Sequence, residues 1–179
     1  MNGRPFFDTN VLVYVVGQQD ARTETAEGLL ATGGVVSVQV LNELAAVARR
    51  KLAMSWEETT EALAAIRVLC PAPLPLTVET HDAALRIASR YGFHIYDALV
   101  VAAALEAECT TLYSEDLQTD QVIDGTLTIR NPFVVDGGPV RRHPGPGAGQ
   151  GLPAHRRPSV GERDRARRLS RRESSSKSI

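Results

Sequence analysis

Apolar positions along this chain fall into two kinds of segment: short runs of β-branched and aromatic residues, and longer stretches whose apolar residues recur at helical spacing. Phe6-Phe7 opens the first run and reads as a buried strand. The end of that run, up to Val16, is open between strand and helix, because a short apolar run has no period of its own. Asp20 to Ala31 reads as a helix with Ala21, Ala26, Leu29 and Leu30 inward, stopped by Gly33-Gly34. Val35 to Val38 reads as a short strand. Val40, Leu41, Leu44, Val47 and Ala48 then return to helical spacing. Ser55 with Glu58 three residues on is a capping-box pattern, and the helix it starts runs through Leu63, Ile66 and Leu69 until Pro71, Pro73 and Pro75 end it.

Thr77 or Thr80 caps the next helix, which carries Ala84, Leu85, Ile87 and Ala88 and ends near Gly92. Asp97 to Ala107 is almost entirely Ala, Val and Leu, and a helix apolar on every side is buried on most of them. Thr110–Tyr113 and Leu127–Arg130 read as strands, the second just before Asn131-Pro132-Phe133. Strands alternating with helices predict an α/β domain with a mainly parallel central sheet.

Composition changes this picture at one place. From Gly137 onward Gly, Pro, Arg, Ser and His dominate and apolar residues nearly vanish, so the segment lacks the apolar surface to offset its ordering entropy. The expected organisation is a domain over residues 1–136 and a disordered tail over 137–179. The overall charge of −1 conceals an asymmetry: the tail holds eleven Arg and Lys against three acids, which leaves nine and eighteen for the rest. An Arg-rich tail can bind RNA phosphates in a salt-sensitive way, but without aromatics it offers bases no stacking surface. The favoured reading is a solvated extension with no assigned role.

No stretch approaches the roughly 20 apolar residues of a membrane span. Nor does Met1-Asn2-Gly3-Arg4 lead into the apolar core of a signal peptide. Cys70 and Cys109 are too few for a disulfide framework. The expectation is a cytoplasmic protein with reduced thiols.

Four acids stand out: Asp8 in Phe6-Phe7-Asp8-Thr9-Asn10, Glu43 in Leu41-Asn42-Glu43-Leu44, Asp97 in Ile95-Tyr96-Asp97-Ala98-Leu99 and Asp116 in Ser114-Glu115-Asp116-Leu117. Three lie beside strongly apolar runs, where an uncompensated carboxylate is expensive. The predicted topology sends all four to the C-terminal rim of the sheet, where open α/β sheets bind ligands. Carboxylates brought together repel, and a hard cation such as magnesium or manganese relieves them. Such a cation supports hydrolysis of a phosphodiester by a bound water. Asp8, Glu43, Asp97 and Asp116 are the candidate catalytic residues and metal ligands, with Asn10 and Ser114 placed to hydrogen-bond the ligands, water or phosphate. Glu115 reads as an exposed neighbour of Asp116. Asp120 is a lesser candidate for a water-mediated ligand, Asp124 a loop acid and Asp82 a first-turn helix acid. Trp56 and Tyr91 read as packing residues, and His94 as solvated or structural. Arg49-Arg50-Lys51 suits either a helix C-terminus or RNA phosphate.

In this order the motifs resemble a PIN-domain ribonuclease of the VapC toxin type. They are Phe7-Asp8-Thr9-Asn10-Val11-Leu12, Glu43, Tyr96-Asp97-Ala98-Leu99-Val100-Val101-Ala102-Ala103-Ala104, and Tyr113-Ser114-Glu115-Asp116-Leu117-Gln118. The resemblance spans about residues 4–134. It implies a three-layer α/β/α fold and a Mg2+- or Mn2+-dependent endoribonuclease with an RNA substrate, transfer RNA by resemblance only. It further implies a homodimer and a cognate antitoxin. A haloacid-dehalogenase-type phosphatase does not fit, since Asn10 stands where a second Asp is needed, and Lys51 and Lys177, the only lysines, are misplaced. The remaining rival is a PIN-like interaction module that binds a partner and DNA without turnover.

Overall fold

The computed structural model describes residues 3–17 and 19–134. The basic segment 137–179 lies outside them.

Phe6–Phe7 forms β1, fully buried, and Asp8 ends it by accepting the Thr9 N–H and so capping helix α1, Thr9–Val16. The ambiguous end of the first apolar run is therefore helical. Helix α2 spans Thr23–Ala31, and Ala21, expected inward, precedes it and is exposed. The expected strand Val35–Val38 is not a full strand. Val35 and Ser37 make one parallel bridge each, to Phe6 and to Leu74. The Ser37 hydroxyl accepts from the Val40 N–H, so Val38 already belongs to helix α3, Val38–Arg50. A cap competes with a strand here, and the cap wins.

Helix α4, Trp56–Leu69, starts with the capping box of Ser55 and Glu58. Thr77 is the cap of α5, Val78–Tyr91, which ends at Gly92 with φ +75°. Its first-turn acid is Glu79, so Asp82 lies outside the first turn. Leu85 is half exposed. Helix α6 runs Ile95–Glu106, and all seven residues from Ala98 to Ala104 are buried, as a helix without a polar face requires.

Strands β2 (Thr111–Tyr113), β3 (Val122–Ile123) and β4 (Leu127–Arg130) complete a sheet of order β1-β2-β4-β3. β1 pairs with β2 and β2 with β4 in parallel. β3, which the apolar pattern does not mark, is an antiparallel hairpin partner of β4. The turn between them sets Asp124 and Gly125 at φ +46° and +73°. Helices on both faces of this mostly parallel sheet give the α/β/α arrangement, with α1 packed on α2 and α3, α3 on α4 and α6, and α5 along α6. Gly34 lets the segment that bridges Phe6 through Val35 pass close beside β1. A Cβ there would lie 2.2 Å from the Phe7 ring and 2.8 Å from the Pro5 carbonyl oxygen, so the glycine is required by space rather than by helix stopping. Cys70 and Cys109 are free and buried, and desolvation raises both thiols.

Candidate active site

The parallel pair β1 and β2 ends on the same side, at Phe7 and Tyr113. Backbone bonding continues one residue beyond each end: Asp8 N–H donates to the Tyr113 carbonyl and Ser114 N–H to the Arg130 carbonyl, both at 3.0 Å. The register therefore places Asp8 and Ser114 side by side on the rim. The Ser114 hydroxyl donates to Asp8 Oδ2 at 2.7 Å, while Asp8 Oδ1 accepts the Thr9 N–H at 2.6 Å.

Asn10, one residue into α1 beyond Thr9, joins the two strand ends. Its Nδ2 lies 3.0 Å from Asp8 Oδ2, 3.2 Å from Ser114 Oγ and 3.1 Å from Asp116 Oδ2. Two amide hydrogens are shared among three acceptors. Its Oδ1 accepts the Glu115 N–H at 3.1 Å, fixing the segment that carries Asp116.

Glu43 approaches from α3. Gln39, one turn earlier and buried, donates to Glu43 Oε1 at 2.7 Å, and the Thr9 hydroxyl donates to Oε2 at 3.4 Å. Asp97 sits in the first turn of α6, third in the helix behind its cap His94 rather than at its start. The sequence pattern does not single out Gln39 or Thr9 as site residues. The signal for Gln39 is its i, i+4 spacing from Glu43 on a helix.

Electrostatics ties the four acids together. Asp8 is only 8% exposed, and burial raises its pKa to about 6. The Ser114 and Thr9 hydrogen bonds oppose that rise, and the charges of Glu43 and Asp97 add to it. Burial also raises Asp97; His94 opposes this, and Glu43 and Asp116 reinforce it. Each of the four thus feels at least one other.

Among the described residues, no three Asp, Glu, His or Cys side chains form a group that could hold a metal ion by direct ligation. The donor set suits a different kind of ion. It is all hard oxygen, spread along a rim, with no thiolate or imidazole among the four. That matches a small cation which keeps several waters and takes only one or two carboxylates directly.

Neighbouring acids divide by their partners. Glu115, expected to be exposed, is partly buried, accepting from the Tyr14 hydroxyl at 2.7 Å and pairing with Arg22 at 2.5 Å. Asp120 pairs with Arg130, and Asp124 takes Arg90 and the Tyr91 hydroxyl. Tyr91 also stacks on Phe93. Trp56 is two-thirds exposed, covered by the Arg49 guanidinium 4.9 Å from its ring centre. Arg49 also donates to the Met54 carbonyl, so the structure favours its local role.

The family model described as PIN domain matches residues 6–123. The chain belongs to the PIN-domain family. This PIN domain is also similar to three solved structures. Mycobacterium tuberculosis VapC20, described as a sarcin-ricin loop cleaving toxin, is 25% identical with a TM-score of 0.51, and the match covers 63% of this chain and 89% of that one. VapBC2 from Rickettsia felis, bound to a DNA fragment from its promoter, is 18% identical with a TM-score of 0.53, covering 71% and 97%. FitAcB from Neisseria gonorrhoeae is 19% identical with a TM-score of 0.54, covering 73% and 99%. The last two likenesses concern the fold alone. No curated protein sequence matches the chain. No described helix is long and apolar enough to cross a membrane.

Proposed function

We propose that this PIN domain is a metal-dependent endoribonuclease, the toxin of a toxin–antitoxin pair. The observation that carries the reading is the coupled rim, with Asp8, Asn10, Ser114 and Asp116 in one hydrogen-bonded network and Glu43 and Asp97 within its electrostatic reach. The likeness to VapC20, whose description names an RNA loop as its target, supports an RNA substrate. The VapC-type resemblance of the motifs implies a cognate antitoxin as partner and a homodimer, and the expected compartment is the cytoplasm.

Asp8, Asp97, Asp116 and Glu43 would hold Mg2+ or Mn2+, directly or through water. When bound, such an ion lowers the pKa of a water and stabilises the charge that develops on phosphate oxygens. Asp8 is held in place by Ser114, by Asn10 and by its own helix cap. Glu43, steadied by Gln39 and Thr9, is suited to orient an attacking water. Asn10 and Ser114 keep the two strand ends, and so Asp8 and Asp116, in fixed relation.

The test is cleavage of total cellular RNA by purified protein with Mg2+, with Mn2+ and with chelator, beside Asp97→Asn. Metal-dependent cleavage that the variant lacks supports the reading, and mapping the cut ends separates transfer RNA from ribosomal RNA. A folded, antitoxin-free protein that cuts nothing in either metal moves the reading to an interaction module.

A further inference from the structure

Glu115 and Asp116 are adjacent acids with opposite fates. Asp116 is exposed, and its hydrogen-bond partner is an amide, Asn10. The Glu115 side chain turns away into a cluster built from three separate parts of the chain. Tyr14, one helical turn after Asn10 on α1, donates its hydroxyl to Glu115 Oε2 at 2.7 Å. Arg22 pairs with Glu115 Oε1 at 2.5 Å and also donates to the Tyr14 hydroxyl. The Arg22 guanidinium lies 5.1 Å from the Tyr14 ring centre and 5.8 Å from that of Phe133, while Tyr14 and Phe133 meet edge to face at 4.9 Å. Arg22 is itself seated, since its backbone N–H donates to Asp20 Oδ1 at 3.0 Å.

Helix α1 therefore grips the Ser114–Asp116 segment twice. Asn10 takes the Glu115 backbone, and Tyr14 takes the Glu115 side chain. We propose that Tyr14, Arg22 and Glu115 form a positioning clamp that sets Asp116 toward the metal rim and keeps the Glu115 carboxylate out of it. The clamp acts in two ways. It neutralises the carboxylate next to Asp116, so Glu115 adds no unpaired charge beside the four acids. It also removes rotational freedom from the residue next to Asp116, so less order has to be gained when the cation binds. None of the three touches the reacting atoms, and the proposal rests on the metal reading above.

The test is calorimetric Mn2+ binding to the full chain, freed of metal beforehand, with thermal unfolding of the metal-free protein alongside. Tyr14→Phe removes one hydroxyl and keeps the ring against Phe133. Arg22→Gln removes the charge, and Arg22→Lys restores it. Tyr14→Phe and Arg22→Gln are expected to weaken Mn2+ binding on the order of tenfold, with Arg22→Lys recovering most of the loss and metal-free unfolding temperatures staying close to wild type. Equal Mn2+ affinity across the set overturns the clamp while leaving the metal site standing. Affinity that falls only alongside the unfolding temperature also overturns it, because the cluster is then a structural strut. A wild-type protein that binds no Mn2+ removes the metal reading itself, before any variant is compared.

Discussion

Asp8 is a carboxyl group that its surroundings hold partly in the wrong protonation state. Its pKa stands near 4 in the unfolded chain and about 6 in the fold. A raised carboxyl favours the folded state below the unfolded pKa, and that contribution disappears as pH rises through the folded one. The metal-free protein is therefore expected to lose on the order of 3 kcal/mol from this group between about pH 4 and pH 7. Asp8→Asn flattens that dependence, which unfolding of both proteins across this range measures; parallel curves would remove the account. The same substitution, like Asp97→Asn, is expected to abolish RNA cleavage and leave circular dichroism unchanged. Turnover surviving in either variant would remove that residue from the site.

Glycines separate by the same residue-level logic. Gly28 meets nothing within 4 Å of a new Cβ and lies inside α2, so Gly28→Ala is expected to stabilise by about 0.5–1 kcal/mol. Gly34→Ala must push the Phe7 ring and the Pro5 carbonyl apart at the strand that carries Asp8, at a cost of about 2 kcal/mol or more. Denaturant midpoints of the two variants should move in opposite directions.

At the scale of elements, sequence pattern revealed most where one physical signal acted alone. The capping box of α4 and the unbroken apolar stretch of α6 are such cases, and both appear where expected. It failed where two signals competed. Val35–Val38 has strand composition, but Ser37 is also a cap, and a cap acting within three residues outweighs two bridges to distant partners. β3 escaped because two residues, one of them exposed, carry no period; the glycine turn after it is its only local mark. The position of Asp97 in the first turn of α6 was legible to within two residues. The expectation of four acids at one rim rests on strand order and apolar flanks, and Gln39 is marked only by its spacing from Glu43, whereas Thr9 and the Tyr14–Arg22 cluster depend on side-chain packing that no linear pattern encodes.

At the scale of the whole molecule, net charge is split: acidic through residue 136 and basic beyond it. Phe133 packs against Tyr14 and lies beside Arg22, so the last described residues belong to the fold. Ending the chain after Asp136 is expected to leave a cooperatively unfolding domain, checked by calorimetry. Ending it after Arg130 removes Phe133 and should lower the unfolding temperature. Loss of cooperative unfolding in the chain ending at Asp136 would show that residues beyond 136 are needed for folding.

The pairing of β1 with β2 joins Phe6 to Leu112, and Ser114 leans in turn on the Arg130 carbonyl. The rim thus combines residues from near the beginning of the chain with residues made much later. While the chain is being synthesised, Asp8, Glu43 and Asp97 emerge first with no strand beside Asp8 to complete the site. Only after the segment through Arg130 has cleared the exit tunnel can Asn10 draw Asp8, Ser114 and Asp116 together. The proposed nuclease would therefore stay inert toward RNA until the segment through Arg130 has emerged, through the order of its strands alone.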